Sequence, residues 1–255
     1  MNRNTKRLIV VAFYALAMAW VEAAVVCYLR TLVHRVVPYQ ADPLPLQGGL
    51  GGIELAREFA TLVMLGSVGW LAGATLRSRF GFFLAGFGVW DLFYYVFLRV
   101  MCGWPASLWD WDVLFLIPLP WWGPVAAPCL IALLMIVFGI WMTRSRPRTS
   151  GARIPVWSVC SLVAGTMAAL VLFMKDALAV VAGGNGAGVI RQMLPVDFPW
   201  GTFLFALGLM SAPLWGASWR TITLERVWKM ALSRMRRRAA AKREATNEHI
   251  GPICE

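Results

Sequence analysis

Residues 121–142, WWGPVAAPCLIALLMIVFGIWM, form an apolar stretch without a single charged residue. About 20 mostly apolar residues are enough for an α-helix to cross the hydrocarbon core of a bilayer. The whole chain of 255 residues is 59% hydrophobic and only 15% charged, whereas soluble domains carry ~25% charged residues. A chain this apolar cannot cover its surface with polar groups in water. The stretch therefore predicts a transmembrane helix.

Five further stretches have the length and the apolar character of a membrane span, and each is bounded by charged residues, glycine or proline. They are residues 8–29, 53–76, 80–101, 154–175 and 198–218. Only helices and closed barrels satisfy their backbone polar groups inside lipid. We therefore expect an all-α, polytopic integral membrane bundle of six transmembrane helices over residues 1–218, followed by a basic cytoplasmic tail over residues 219–255.

The basic residues alternate along the chain and predict its orientation. If the amino terminus is inside, the cytoplasmic segments contain most of the 24 Lys and Arg residues, as is typical of membrane proteins. We expect both termini in the cytoplasm of a bacterial-type inner membrane, with residues 30–52, 102–120 and 176–197 outside. The net charge of +11 would indicate nucleic-acid binding in a soluble protein. Here the basic residues flank the apolar stretches and predict contact with anionic lipid headgroups instead.

Two segments outside the predicted spans are amphipathic. Residues 103–120, GWPASLWDWDVLFLIPLP, are rich in Trp but too short to cross, so we expect them at the outer membrane interface. In residues 219–245, helical spacing places Leu224, Trp228 and Met235 on one face, surrounded by basic residues. This pattern is typical of a helix that lies on anionic lipid. The alternative is a helix that docks on a membrane-protein partner.

Ionisable residues inside the first three predicted helices give the main functional signal. An ionisable side chain within a span costs roughly 2.5–3.5 kcal/mol on insertion scales, and such residues usually pair or serve a function. Helical spacing groups the polar residues of helices 2 and 3 on one face each, at outer-leaflet depths that overlap with the single carboxylate of helix 1. The residues concerned are Glu22, Glu54, Arg57, Glu58, Asp91, Tyr94, Tyr95 and Arg99. We expect them to line an outward-facing binding pocket, with Asp110 and Asp112 above it.

Two interpretations of these charges stay open. Ion pairs of the types Glu22–Arg57 and Asp91–Arg99 would merely hold three helices together. Alternatively, four carboxylates beside two arginines leave an excess of negative charge, which favours a bound cation. The sequence thus supports three functions: binding or movement of a cation, proton or small cationic solute; an accessory or structural subunit of a membrane complex; or an intramembrane enzyme that acts on a lipid-like substrate.

Residues that commonly hold cofactors are scarce in this chain. Both histidines, His34 and His249, lie outside the predicted spans, which excludes a haem held by two span histidines and a helical zinc motif. The five cysteines have no metal-ligand spacing; Cys27 and Cys102 are placed for pairing near the outer face, and buried free thiols are the alternative. The glycine-rich run 183–188 lacks the Lys-Ser/Thr of a phosphate loop. Cofactor, metal and substrate all stay unknown at this point.

Overall fold

The computed structural model describes residues 3–40, 50–116, 119–144, 155–184, 189, 194–195 and 197–215. Six helices account for most of these residues: α1 (Arg3–Leu32), α2 (Leu50–Ala72), α3 (Leu76–Cys102), α4 (Ala126–Arg144), α5 (Val156–Ala182) and α6 (Trp200–Trp215). Between α3 and α4 lies an antiparallel hairpin of β1 (Trp111–Phe115) and β2 (Trp121–Pro124). The predicted tail over residues 219–255 lies outside the described residues.

Five of these helices, α1 to α5, are long and apolar enough to cross a membrane, and α6 is a shorter apolar helix. A predominantly helical bundle is therefore confirmed, and its five apolar helices are consistent with a membrane protein, whereas the number of six spans stays a prediction. The expectation of purely helical structure is wrong at the hairpin, where the predicted fourth span begins too early. Trp121 and Trp122 pair with Phe115 and Val113 of β1. Pro124 lacks a backbone N–H and marks the end of this strand, so that helix α4 begins only after it.

Successive helices run in opposite directions, as the contacts between their ends show. The side chain of Asn4 donates to the carbonyl oxygen of Thr143 at 2.7 Å, and Arg7 donates to that of Ala72 at 2.9 Å. The start of α1 therefore lies beside the ends of α2 and α4. At the opposite end, which we call the hairpin end, Arg30 at the end of α1 meets Asp112 of β1 at 2.8 Å.

Helix α3 is central and packs against α1, α2 and α4. Glycine allows its closest approach to α4, since a Cβ atom at Gly88 would lie 2.4 Å from the carbonyl oxygen of Ala132. On α1, the small residues Ala15, Ala19 and Ala23 are completely buried. Small side chains permit such close helix contacts where lipid provides no hydrophobic drive for association.

Helices α5 and α6 form a second closely packed pair. A Cβ atom at Gly165 would lie 2.5 Å from the carbonyl oxygen of Ala206, and the buried side chains of Ala169 and Met210 pack with Ile131 of α4. The bundle thus has two sides, α1–α3 and α4–α6, joined by the α3–α4 contact and by the hairpin.

Candidate functional site

A cavity of about 340 Å³ lies between the two sides of the bundle, with residues of the hairpin in its wall at one end. This volume falls in the range of ~300–1,000 Å³ that is common for small-molecule pockets. Seven of the eight residues predicted to form a pocket line this one cavity: Glu22, Glu54, Arg57, Glu58, Asp91, Tyr94 and Tyr95. The cavity is wider than the sequence suggested, because α4, α5 and α6 also contribute to its wall.

The eighth residue, Arg99, does not line the cavity, and the expected Asp91–Arg99 pair is wrong. Its guanidinium donates instead to the carbonyl oxygens of Gly103 and Pro105 just beyond the end of α3. These carbonyl groups belong to the segment that directly follows α3, within reach of a long side chain in the last turn of the helix, and the contacts give them a donor. The position of Arg99 in the last turn therefore decides its contacts.

Arg57 holds two of the four carboxylates that line the cavity. It forms an ion pair with Glu22 across the α1–α2 contact and another with Glu54 on its own helix, where its Nε lies 2.8 Å from Glu54 Oε2. The hydroxyl of Thr61 also donates to Glu22, at 3.3 Å. Glu22 and Glu54 thus share one positive charge inside the protein, and the Glu22–Arg57 pair joins α1 to α2.

Glu58 attaches the hairpin to α2. Its side chain is buried, and both carboxylate oxygens accept the backbone N–H of Leu116, at 3.1 and 3.2 Å. Leu116 directly follows the last residue of β1, so its N–H donates outside the strand ladder. The contact gives this backbone group an acceptor, which a buried N–H requires. Glu58 therefore has a partner within the fold.

Arg30 and Asp112 form a second ion pair, which attaches the hairpin to α1. Asp112 is buried, with a side-chain exposure of only 1%. The Arg30 guanidinium also lies 4.4 Å from the ring centre of Trp104, a cation–π contact. Burial raises the pKa of Asp112, whereas the positive charge of Arg30 opposes that rise.

A first helix over residues 8–29 places Arg30 in the loop over residues 30–52, whereas in the structure Arg30 lies on α1 and lines the cavity. A usable signal was present. Glu22, Val26 and Arg30 follow one another at intervals of four residues, and all three line the cavity. Had helix 1 been extended by one turn, the same helical spacing that grouped the residues of α2 would have included Arg30.

Asp91 differs from the other carboxylates in the cavity wall. Within the described part of the chain, no hydrogen bond or ion pair engages it. Its neighbours on α3 are aromatic: the rings of Tyr94 and Tyr95 lie 5.0 Å apart, and Trp90 lies 6.4 Å from Tyr94. The cavity therefore contains a carboxyl group that has no partner among the described residues, beside several aromatic side chains.

Metal-binding groups are not apparent in the described ranges, where no three His, Cys, Asp or Glu side chains are arranged to hold an ion. His34 is exposed and is not among the residues of the cavity wall. Cys27 and Cys102 are free thiols that pack around the same buried cluster near the ends of α1 and α3. The cavity itself is thus the site with the clearest capacity to hold a ligand.

Comparison with models of known protein families, with curated proteins and with solved structures finds no match to this chain.

Proposed function

We propose that this chain is a six-span protein of a bacterial-type inner membrane and that its cavity binds a small organic cation, as part of transport across that membrane. One observation carries the proposal. Of the four carboxylates in the cavity wall, Asp91 alone lacks a partner among the residues with described positions. An ionised carboxylate without a partner is costly inside a membrane protein, and a cationic ligand would compensate its charge.

The surroundings of Asp91 favour an organic cation over a metal ion or a proton. Aromatic faces attract cations that are not strongly hydrated, and quaternary ammonium groups are a common example. Trp90, Tyr94 and Tyr95 supply such faces in the same cavity wall. A metal ion would require several ligands, and the described residues offer no group of three. A proton would need no cavity of about 340 Å³.

The proposed orientation has both termini in the cytoplasm and the hairpin end outside. Support comes from the end of the bundle that holds the amino terminus, where the cationic side chains Arg7, Arg77 and Arg79 lie within or beside the ends of the helices. Arg79 lies 3.6 Å from the ring centre of Trp70, and Arg77 lies 4.9 Å from that of Trp141. Basic residues on the cytoplasmic side and Trp at the interface are both typical of inner-membrane proteins.

The proposed contact of the tail over residues 219–245 with anionic lipid rests on its sequence pattern of apolar and basic residues. No role in nucleic-acid binding is proposed. The tail would then act as a separate cytoplasmic unit beside the membrane domain over residues 1–218.

An accessory or structural subunit is the second candidate, and a specific observation favours it. Glu22 and Glu54 are both paired with Arg57, and Glu58 accepts from the backbone. These contacts need no ligand. If the whole charged cluster serves only assembly, then replacing Asp91 should change nothing that a ligand would report.

Binding of tetramethylammonium to the full-length protein in lipid nanodiscs tests the proposal. We expect the unaltered chain to bind this cation, as measured by isothermal titration calorimetry, and Asp91→Asn to weaken binding at least about tenfold, since the charged partner is removed. Asp176→Asn is the matched control, because Asp176 lies on α5 and is not part of the cavity wall. Equal binding by the Asp91 variant and the unaltered chain would favour the accessory subunit.

A further inference from the structure

We infer that the ligand is an amphiphilic cation, with its charged group at Asp91 and an apolar body held between α3, α4, α5 and α6. The inference rests on the proposed function and adds the chemical class of the ligand: an organic ammonium, or a cation of similar size, that carries an aromatic ring or a short alkyl chain. The observation behind it is the uneven distribution of polar groups around the cavity.

The charged residues of the cavity wall all belong to α1, its following turn, α2 and α3. The opposite part of the wall is apolar. Its residues on α4, α5 and α6 include Ile131, Met135, Leu170, Phe173 and Met210. Thr166 also lies there, but its hydroxyl donates to the carbonyl oxygen of Leu162 on its own helix at 2.8 Å. Water or a hydrated ion in this part of the cavity would find few hydrogen-bond partners.

The apolar part extends away from Asp91 along the bundle axis. Gly88 of α3 touches Ala132 of α4, which sets these two residues at the same level. On α3, Asp91 lies three residues from Gly88 towards the hairpin end. On α4, Met135 lies three residues from Ala132 in the opposite direction. At 1.5 Å per residue, Met135 therefore lies ~9 Å below Asp91. A charged group and one aromatic ring span a comparable length.

The volume limits the size of the apolar body. About 340 Å³ lies near the lower end of the range for small-molecule pockets. It suits an ammonium group with one ring or a short chain, whereas a lipid with two acyl chains would be far too large to be enclosed. Both ends of such a ligand would have complementary surroundings: the carboxylate and aromatic faces at Asp91, and apolar side chains at Met135.

Two cations with the same charged group test the inference on the full-length protein in nanodiscs. We expect benzyltrimethylammonium to bind about tenfold more tightly than tetramethylammonium to the unaltered chain, because its ring is buried against the apolar wall. Met135→Ser should remove most of that preference, because the ring then meets a polar side chain. The matched control is Met167→Ser, since Met167 is exposed on α5 and is not part of the cavity wall. Empty nanodiscs report binding of either cation to lipid.

The outcomes separate the two proposals. If both cations bind with equal affinity and Asp91→Asn weakens both, the proposed function stands and the amphiphilic ligand is wrong. If neither cation binds to the unaltered chain beyond the empty nanodiscs, the proposed function fails. A preference for benzyltrimethylammonium that persists unchanged in Met135→Ser would overturn the location of the apolar body. The comparison of the two cations on the unaltered chain does not depend on the folding of any variant.

Discussion

The carboxylates of α1 and α2 and the carboxylate of α3 face the same cavity but differ in their contacts. Glu22 and Glu54 share Arg57, and Glu58 accepts the N–H of Leu116. Asp91 on α3 has no such contact within the part of the chain that the structure describes. Glu22 joins α1 to α2 and Glu58 joins α2 to the hairpin, so their partners explain their presence. Asp91 makes no comparable contact with any described residue.

This difference determines how neutralising each carboxylate should change the stability of the fold. Burial of a charge costs free energy, which a partner of opposite charge offsets. If one member of a buried ion pair is removed, the other keeps its charge and the full free-energy cost of its burial. A charge that has no partner carries the penalty in the native state already, so neutralising it should relieve the fold. Substitutions of the paired and the unpaired carboxylates should therefore change the free energy of unfolding by different amounts. The Arg30–Asp112 ion pair at the hairpin serves as the most buried reference.

Asp112→Ala should have the largest effect, because it leaves the charge of Arg30 without its carboxylate in a buried position. The side chains of Arg30 and Asp112 are only 14% and 1% exposed, and breaking a buried pair typically costs about 3–5 kcal/mol. We expect a decrease of that size in the free energy of unfolding, measured by denaturant titration in detergent micelles. The double variant Arg30→Met with Asp112→Leu should recover most of the loss. A single variant as stable as the unaltered chain would contradict the anchoring role of this pair.

Arg57→Met should have a smaller effect of about 1–3 kcal/mol. It leaves Glu22 and Glu54 without their arginine, but these pairs are less buried than Arg30–Asp112. The side chains of Arg57, Glu22 and Glu54 are 22%, 12% and 16% exposed, so water lowers the cost of the lost pairs. The same denaturant titration measures it. Arg99→Met is the matched control, since Arg99 contacts only carbonyl groups at the end of α3 among the described residues. If both arginine variants lose the same stability, the pairing with Glu22 and Glu54 contributes nothing specific.

Helical spacing alone accounts for much of this arrangement. Glu54, Arg57 and Glu58 share a face of α2 because three and four residues complete about one turn, and all three line the cavity. Helical spacing does not show whether a side chain lines a cavity or contacts the backbone beyond the end of its helix. The prediction for Arg99 is wrong for this reason. It also depends on the assumed length of each helix, and a helix 1 that stops at residue 29 excludes Arg30.

The hairpin and the apolar wall of the cavity were not predictable in the same way. Pairing of β1 with β2 depends on contacts across a turn and on burial, and such context often outweighs local preferences. In the apolar wall, Met135 and Met210 have nothing in their own sequence that distinguishes a lining residue from one that faces lipid. Their role follows only from the packing of α4 against α3 and of α5 against α6.

The smallest effect on stability should come from Asp91→Asn, and its comparison with Glu58→Gln is the sharpest test of the difference between the two groups. Each change removes one charge and keeps the size of the side chain. In Glu58→Gln the N–H of Leu116 loses one of the two oxygens that now accept it, and we expect a loss of about 1 kcal/mol. In Asp91→Asn no hydrogen bond or ion pair with a described residue is lost, and burial of a neutral amide costs less than burial of an uncompensated charge, so stability should be unchanged or slightly higher. Denaturant titration of both variants without added cation makes the comparison. An Asp91 variant that loses as much stability as the Glu58 variant would mean that Asp91 also supports the fold, and the cavity would then lack the unpaired carboxylate on which cation binding depends.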